Sequence, residues 1–349
     1  MKPRQLFSFL SRVAICCALL PGVSHPTPAL CSNPQSKPRI IHRSSPIFIF
    51  YDDEFWLNLH HFLYVLGRAE NKTRDSSRAA VSVAPADQQQ GMGMLTENEQ
   101  AAWRQAVHDY AAGPSRKDIV FDDPLPVVTI ALARAHNAKS LSAAGIDSSI
   151  SAVLMRAAPI YRKAWWSKHL AANKAWRKEI QALVKKHGAA ILGFISNAYQ
   201  MEWPAAGYGV HLSSYTNWAG AYSTTGDLLV VASLNKETMG EDGLETVFHE
   251  GMHQWDDLID AALHKQAPQT DQRVLDKLSH ALIFFTAGYA VRREIPEHTP
   301  YADRSGVWQR GWLRERDAVN EIWKPYLDGH GTRDEALAKL VKRLSREAN

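Results

Sequence analysis

Residues Leu244 to Trp255 read L-E-T-V-F-H-E-G-M-H-Q-W. His249 and His253 lie four positions apart, so on a helix their imidazoles stand one above the other on the same face. From that face both rings can reach a single Zn²⁺, and Glu250 can point towards a zinc-bound water. The stretch therefore predicts a helix that carries two metal ligands and a general base.

Glu250 is the one charged residue between these histidines, and the other residues beside them are apolar, small or uncharged. A helix that faces solvent carries Lys and Glu among its polar residues, so an exposed polar helix is the less favoured interpretation. The stretch resembles the zincin metallopeptidases, whose extended motif has uncharged residues at four positions and a hydrophobic residue at a fifth. The matching residues are Phe248, Gly251, Met252, Gln254 and Trp255. The resemblance implies one catalytic zinc ion, a peptide or protein substrate, and Glu250 as the general base.

A catalytic zinc site of this kind needs a third protein ligand. The metzincin subclass requires Gly and His where this chain has Asp256 and Ile259, and the N-E-x-x-S-D motif of gluzincins does not occur in the sequence. His280 follows His253 by 27 residues, in an apolar and aromatic segment long enough to return beside the first helix. We expect His280 to be the third ligand, and a hydrogen-bonded core histidine is the alternative interpretation.

Carboxylates near these helices are the weaker candidates for the third ligand. Asp257 lies on the same helix as the two histidines and would reach the metal poorly, so we expect it to support a ligand instead. Asp276 shares the predicted helix face of His280 and is available to orient that ring. Glu294 and Glu297 lie at the end of the later helix.

Several tyrosines and histidines are candidates to support the metal or to stabilise the transition state. The sequence does not choose among them. His61 lies in a helix that is apolar on nearly all sides, where a hydrogen-bonded core residue is the favoured interpretation. The candidates are Tyr215, Tyr222, His211 and His61.

The hydrophobic pattern predicts an α+β fold that is predominantly helical. Residues 209–232 contain alternating and compact apolar segments, which predict a small antiparallel sheet just before the histidine-bearing helix. In zincins the edge strand beside that helix binds extended substrate, and the resemblance implies this role for residues 209–223. Thr96-x-x-Glu99 predicts a capping box. We expect the chain to divide into a signal peptide (1–24), a flexible leader (25–44), a helical subdomain (45–203) and a zincin-like catalytic core (204–349).

The N-terminus has the pattern of a secretory signal peptide. A basic segment precedes an apolar run from Val13 to Leu20, which is too short to span a bilayer. No later apolar run approaches the length of a membrane span. We therefore expect an exported protein, periplasmic or secreted, without a transmembrane segment in its mature chain. Cys31 follows a large Leu, so lipoprotein anchoring there is not favoured.

The charge balance argues against a nucleic-acid partner. The whole chain has 40 basic and 36 acidic residues, and residues 1–24 contain three of the basic and none of the acidic ones. The mature charge is therefore 37 − 36 = +1. A nucleic-acid-binding protein would carry a clear excess of basic residues.

The sequence as a whole predicts an exported zinc metallopeptidase. The segments N-L-H-H-F-L-Y, N-W-A-G-A-Y and H-A-L-I-F-F-T-A-G resemble those of exported bacterial zincin-like proteins, a resemblance that spans most of residues 47–325 and implies no particular substrate. One alternative is a zinc-dependent amide or ester hydrolase that acts on a non-peptide substrate. Another is a non-catalytic secreted binding protein with a structural zinc, in which a protein ligand fills the fourth coordination position.

Overall fold

The computed structural model describes residues 46–71, 83–224, 228–266 and 269–346. The predicted signal peptide (1–24) and leader (25–44) lie outside the described residues. The described residues all belong to one unit of the chain, Ile40–Asn349.

Helices dominate the described residues. They are α1 (Phe55–Glu70), α2 (Val83–Met92), α3 (Glu97–Ala112), α4 (Leu125–Ala135), α5 (Ser148–Ala164), α6 (Trp166–Tyr199), α7 (Gly240–Met252), α8 (Asp256–Gln266), α9 (Gln272–Glu294), α10 (Tyr301–Arg304), α11 (Leu313–Ala318), α12 (Lys324–Leu327) and α13 (Arg333–Arg346). The strands are β1 (Phe48–Tyr51), β2 (Tyr208–Ser213), β3 (Ala221–Thr224) and β4 (Leu228–Ala232). The predicted α+β, predominantly helical class is confirmed. None of the described helices combines the length and the apolar character needed to cross a membrane.

The strands form a mixed sheet in the order β1-β2-β4-β3. β1 pairs with β2, and β2 with β4, in parallel, whereas β3 and β4 are antiparallel. The predicted antiparallel arrangement therefore holds for the β3–β4 pair alone among the described strands. β4 is buried along its whole length, as is typical of a strand inside a parallel sheet, and β3 takes the outer position beside it.

The sheet lies between two hydrophobic cores. Tyr208, Val210 and Leu212 of β2 belong to the first core, which also contains residues of α6, α7, α9 and α13. Tyr222 of β3 and Val230 of β4 belong to the second core, with residues of α1, α3, α4 and α5. Successive side chains of a strand point to opposite faces, so each strand can contribute to both cores. α6 precedes β2, β3 and β4 in the chain and contributes to the first core, together with α7.

The start of α3 follows the predicted capping box. Thr96 Oγ1 accepts a hydrogen bond from the Glu99 backbone N–H at 3.3 Å, and the Glu99 carboxylate accepts one from the Thr96 N–H at 2.8 Å. These bonds satisfy two backbone donors that a helix start would otherwise leave unpaired. The predicted capping box is therefore confirmed.

α7 carries His249, is followed directly by His253, and is enclosed by the first core. Its Leu244, Val247 and Phe248 side chains are fully buried. Gly251 allows Trp203 to approach closely, because a Cβ at residue 251 would lie only 2.5 Å from the Trp203 ring. α9 packs along α7, and α6 contacts both of these helices. Any side chain that projects from α7 towards α9 is therefore held in a rigid setting.

Candidate metal centre

The structure brings His249, His253 and His280 together where α7 and the turn after it face α9. One ring nitrogen of each histidine lies within 4.8 Å of the corresponding nitrogens of the other two. Ring centroids are 5.2 Å apart for His249 and His253, 5.4 Å for His249 and His280, and 5.0 Å for His253 and His280. His249 is buried, and the other two rings are partly exposed. We call these three residues the histidine triad.

The chemistry of the triad fits a metal ion. Burial, with a smaller contribution from His253, lowers the pKa of His280 to about 3 and lowers the pKa of His249 well below its usual value. Both rings are therefore neutral near pH 7, the form in which imidazole coordinates metals. Nδ1 of His249 is buried without a hydrogen-bond partner among the described residues. Imidazole nitrogens are typical zinc ligands, and three of them leave one position open.

A carboxylate orients His253. Its Nδ1 donates to the Asp256 carboxylate oxygens at 3.1 and 3.0 Å, which leaves Nε2 for a metal. Burial lowers the pKa of His253, but Asp256 and Glu250 outweigh burial and the pKa is raised overall. The sequence prediction named Asp257, which is exposed. His253–Trp255 form a 3₁₀ turn, in which side chains three positions apart are eclipsed, so Asp256 is the residue that faces the ring.

Glu250 is held by β3. The Ser223 hydroxyl lies 3.0 Å from Glu250 Oε2 and 2.8 Å from the Glu250 backbone oxygen. Burial raises the pKa of the Glu250 carboxyl, although His253 and the Ser223 hydroxyl lower it in part. A carboxylate with a raised pKa takes up a proton more readily, as a general base requires. Sequence analysis missed Ser223, because a serine in a predicted strand carries no signal of which helix it will contact.

Aromatic side chains enclose one side of the triad. Phe284 stacks on His280 with ring centroids 4.7 Å apart and an interplanar angle of 13°, and its ring lies 4.3 Å from that of His249. Trp312 meets His280 edge to face at 5.6 Å. The aromatic residues that pack around Phe284 are Tyr301, Trp308 and Trp312. The chain contains 11 tryptophans, but its sequence does not indicate which of them lie near the triad.

Three predicted supporting residues, Tyr222, His61 and Tyr215, have their partners in the second core instead. The Tyr222 hydroxyl lies 2.7 Å from Nε2 of His61, so these two candidates satisfy each other. The Tyr215 hydroxyl donates to Asp87 at 2.8 Å. Tyr222 is adjacent to Ser223 in β3, and strand alternation places it on the opposite face from Glu250.

The remaining predicted histidine and carboxylates either have other partners or are exposed. His211 Nδ1 pairs with the Glu54 carboxylate at 2.8 Å. Asp276 is exposed and accepts a hydrogen bond from Gln272 at 2.6 Å, so its recorded partner is a neighbour on α9 and not His280. Glu294 and Glu297, the weaker candidates for the third ligand, are exposed. Of the sequence-predicted site residues, the structure therefore gathers His249, Glu250, His253 and His280.

Comparisons with known proteins identify no family for this chain. The chain matches no protein-family model, no curated protein and no solved structure. Function must therefore be argued from the triad and the groups that contact it.

Proposed function

We propose that the chain is an exported zinc metallopeptidase. The observation that carries the proposal is the convergence of three imidazoles, from His249, His253 and His280, beside the carboxylate of Glu250. Three such ligands are what a catalytic zinc site requires, because the fourth position must stay open for water or substrate. Export rests on the basic segment and short apolar run at the N-terminus.

Each polar group at the site has a role in this proposal. The triad would hold the ion, and Asp256 would keep Nε2 of His253 directed towards it. Bound zinc supplies a Lewis acid that polarises a carbonyl group and lowers the pKa of water. Glu250 accepts a proton from the attacking water and delivers it to the leaving amine. Phe284, stacked on the triad, keeps water from that side and so strengthens the electrostatic interactions.

The position of β3 favours an extended peptide as substrate. β3 is an outer strand of the described sheet, and it contacts α7 through Ser223. A peptide that adds to this edge by backbone hydrogen bonds would pass beside Glu250. The predicted substrate-binding segment, residues 209–223, also includes β2, which lies between β1 and β4 and has no free edge. The proposal therefore assigns substrate binding to β3.

The alternatives differ from a peptidase in ways that can be measured. A structural zinc needs a fourth protein ligand, and within the described ranges the group of metal-binding side chains comprises three histidines. A zinc-dependent amide or ester hydrolase would use the same residues on a different substrate. Products from a peptide library, set against products from simple amides and esters, separate this possibility from a peptidase.

The central test compares wild type with Glu250→Gln, and uses Glu294→Gln as a control at an exposed glutamate of α9. Each zinc-loaded protein is assayed for metal content and incubated with a mixed peptide library, whose products are identified by mass spectrometry. We expect one zinc per chain in all three proteins, and turnover about a thousand-fold lower in Glu250→Gln alone. If Glu250→Gln cleaves the library as fast as wild type does, Glu250 is not the general base.

Export is tested separately, by N-terminal sequencing of the protein from the cell envelope and the medium. We expect the mature chain to begin between about residues 22 and 31, where small residues follow the apolar run. An intact Met1 in a cytosolic fraction would contradict export without affecting the zinc chemistry.

A further inference from the structure

The carboxylate of Glu250 is held at one of its two oxygens. The Ser223 hydroxyl lies 3.0 Å from Oε2 and 2.8 Å from the backbone oxygen of the same residue. Oε1 has no hydrogen-bond partner among the residues that the structure describes. One oxygen is thus fixed, and the other is available to a water.

The Ser223 hydroxyl is expected to donate its hydrogen bond to the Glu250 carboxylate and not to the Glu250 backbone oxygen. A serine hydroxyl carries a single proton, so it can make one strong hydrogen bond as a donor. The backbone oxygen of Glu250 already accepts from the His253 N–H at the end of α7. An ionised carboxylate is also the stronger acceptor of the two. We therefore assign the Ser223 proton to Oε2 while Glu250 is ionised.

The strand that carries Ser223 is fixed from its opposite face. The neighbouring Tyr222 projects into the second core, where its hydroxyl lies 2.7 Å from Nε2 of His61. Along the strand, Tyr222 pairs with Val230 and Ser223 with Leu229 of β4. The position of the Ser223 hydroxyl therefore depends on the packing of the second core and on the sheet, and not on a surface loop.

We propose that Ser223 is the positioning residue of Glu250, which holds Oε2 so that Oε1 faces the attacking water. The inference rests on the proposed function. The water proton passes to Oε1 and then to the leaving amine, and Ser223 keeps its own proton throughout. A base whose direction is fixed before the reaction loses less entropy in the transition state than one that rotates freely.

The kinetic test uses Ser223→Ala, Ser223→Thr and a matched control on α13, Ser345→Ala. The Ser345 hydroxyl donates to the Val341 backbone oxygen at 2.8 Å, so its removal deletes a hydroxyl-to-backbone contact without changing the contact to Glu250. With a peptide selected from the library, we expect Ser223→Ala to lower kcat by about 10- to 100-fold, the loss of a hydrogen bond to a charged group.

The same measurement separates positioning from substrate binding. We expect KM and zinc content to stay close to wild type in Ser223→Ala, because the hydroxyl contacts Glu250 and none of the triad residues. Ser223→Thr, which keeps a hydroxyl, should recover most of the rate, and Ser345→Ala should resemble wild type. An effect on KM alone, or an equal loss of rate in Ser345→Ala, would overturn the proposal.

A second readout does not depend on turnover. Protein labelled with ¹³C at the glutamate side-chain carboxyl is examined by NMR with and without zinc, and the Glu250 resonance is the one missing from Glu250→Gln. We expect Ser223→Ala to shift this resonance and Ser345→Ala to leave it in place. No shift in Ser223→Ala overturns the proposal. A shift in a protein that cleaves no peptide upholds the contact and contradicts the proposed function.

Discussion

Two groups of buried histidines in this molecule differ in how their ring nitrogens are satisfied. In the second core, His61 donates from Nδ1 to a backbone oxygen of its own helix at 2.8 Å, and its Nε2 accepts from Tyr222 at 2.7 Å. His169 donates from Nε2 to Asp87 at 2.8 Å and accepts at Nδ1 from Tyr161 at 2.7 Å. Both nitrogens of each ring have a protein partner, so neither ring is free to bind a metal.

In the triad the rings face one another instead. His249 has a buried Nδ1 without a partner among the described residues, and His253 uses one nitrogen for Asp256. A buried polar atom left unpaired costs about 1–3 kcal/mol, a cost that metal coordination offsets. Burial and apolar surroundings are common to both groups. His60, in the second core, also has a buried ring nitrogen, Nε2, without a hydrogen-bond partner among the described residues, but within those residues it belongs to no group of three metal-binding side chains. A ligand is therefore distinguished from a core histidine by an unpaired nitrogen that converges with nitrogens of two other histidines.

The largest test of this difference compares His280→Ala with His61→Ala. We expect His280→Ala to bind zinc at least about a thousand-fold more weakly, because it loses one of three ligands. His61→Ala should bind zinc as wild type does, but it should lose about 2–4 kcal/mol of unfolding free energy, since it leaves a cavity and leaves the Tyr222 hydroxyl with only the longer 3.5 Å contact to Thr129. Zinc affinity is measured by competition with a chelator, and stability by urea unfolding of metal-free protein.

Glu294→Ala serves as the control for the ligand assignment, because Glu294 is the exposed carboxylate that the sequence left as an alternative. We expect it to bind zinc as wild type does. If Glu294→Ala loses zinc while His280→Ala retains a full equivalent, the third ligand is the carboxylate and our assignment is wrong.

The features that could be predicted from sequence are those that depend on local geometry. The spacing of His249 and His253 places two rings on one helix face whatever the rest of the fold does. The capping box at Thr96 is likewise complete within four residues. The length and apolar character of the segment around His280 predicted a helix, and α9 covers Gln272–Glu294.

The features that could not be predicted depend on contacts between distant segments or on a small change of helix geometry. His61 and Tyr222 are 161 residues apart, so their pairing follows from how α1 packs against the sheet. Ser223 and Glu250 meet for the same kind of reason. Asp256 replaced Asp257 as the partner of a triad histidine because a 3₁₀ turn changed the phase of the helix.

A smaller effect is expected from the group that orients a triad histidine. Asp256→Ala removes the acceptor of His253 Nδ1, and we expect zinc to bind about 10- to 100-fold more weakly. Asp257→Ala is the matched control, since it removes the adjacent exposed carboxylate and should leave zinc affinity unchanged. The same chelator competition measures both. The reverse order of effects would show that α8 begins in a different phase from the one described here.

The smallest expected effect is the pH dependence of the unfolding free energy that comes from His61, whose two ring nitrogens both have protein partners. Burial outweighs a backbone hydrogen bond and lowers the pKa of His61 from 6.5 to about 4. The unfolded chain therefore takes up a proton at this residue more readily than the folded one. The stability that this residue contributes is fully present above pH 6.5 and falls as the pH drops from 6.5 towards 4.

Between pH 8 and pH 6 this one residue should lower the unfolding free energy of metal-free wild type by about 1 kcal/mol. His61→Gln stays neutral over this range, so its unfolding free energy should fall by about 1 kcal/mol less between the same two pH values. Urea unfolding of both proteins at each pH measures the difference, and groups common to both, such as His169 and the triad, cancel. If the unfolding free energy depends on pH in the same way in the two proteins, His61 is accessible to protons in the folded state. The contrast between paired and unpaired histidines would then rest on the zinc measurements alone.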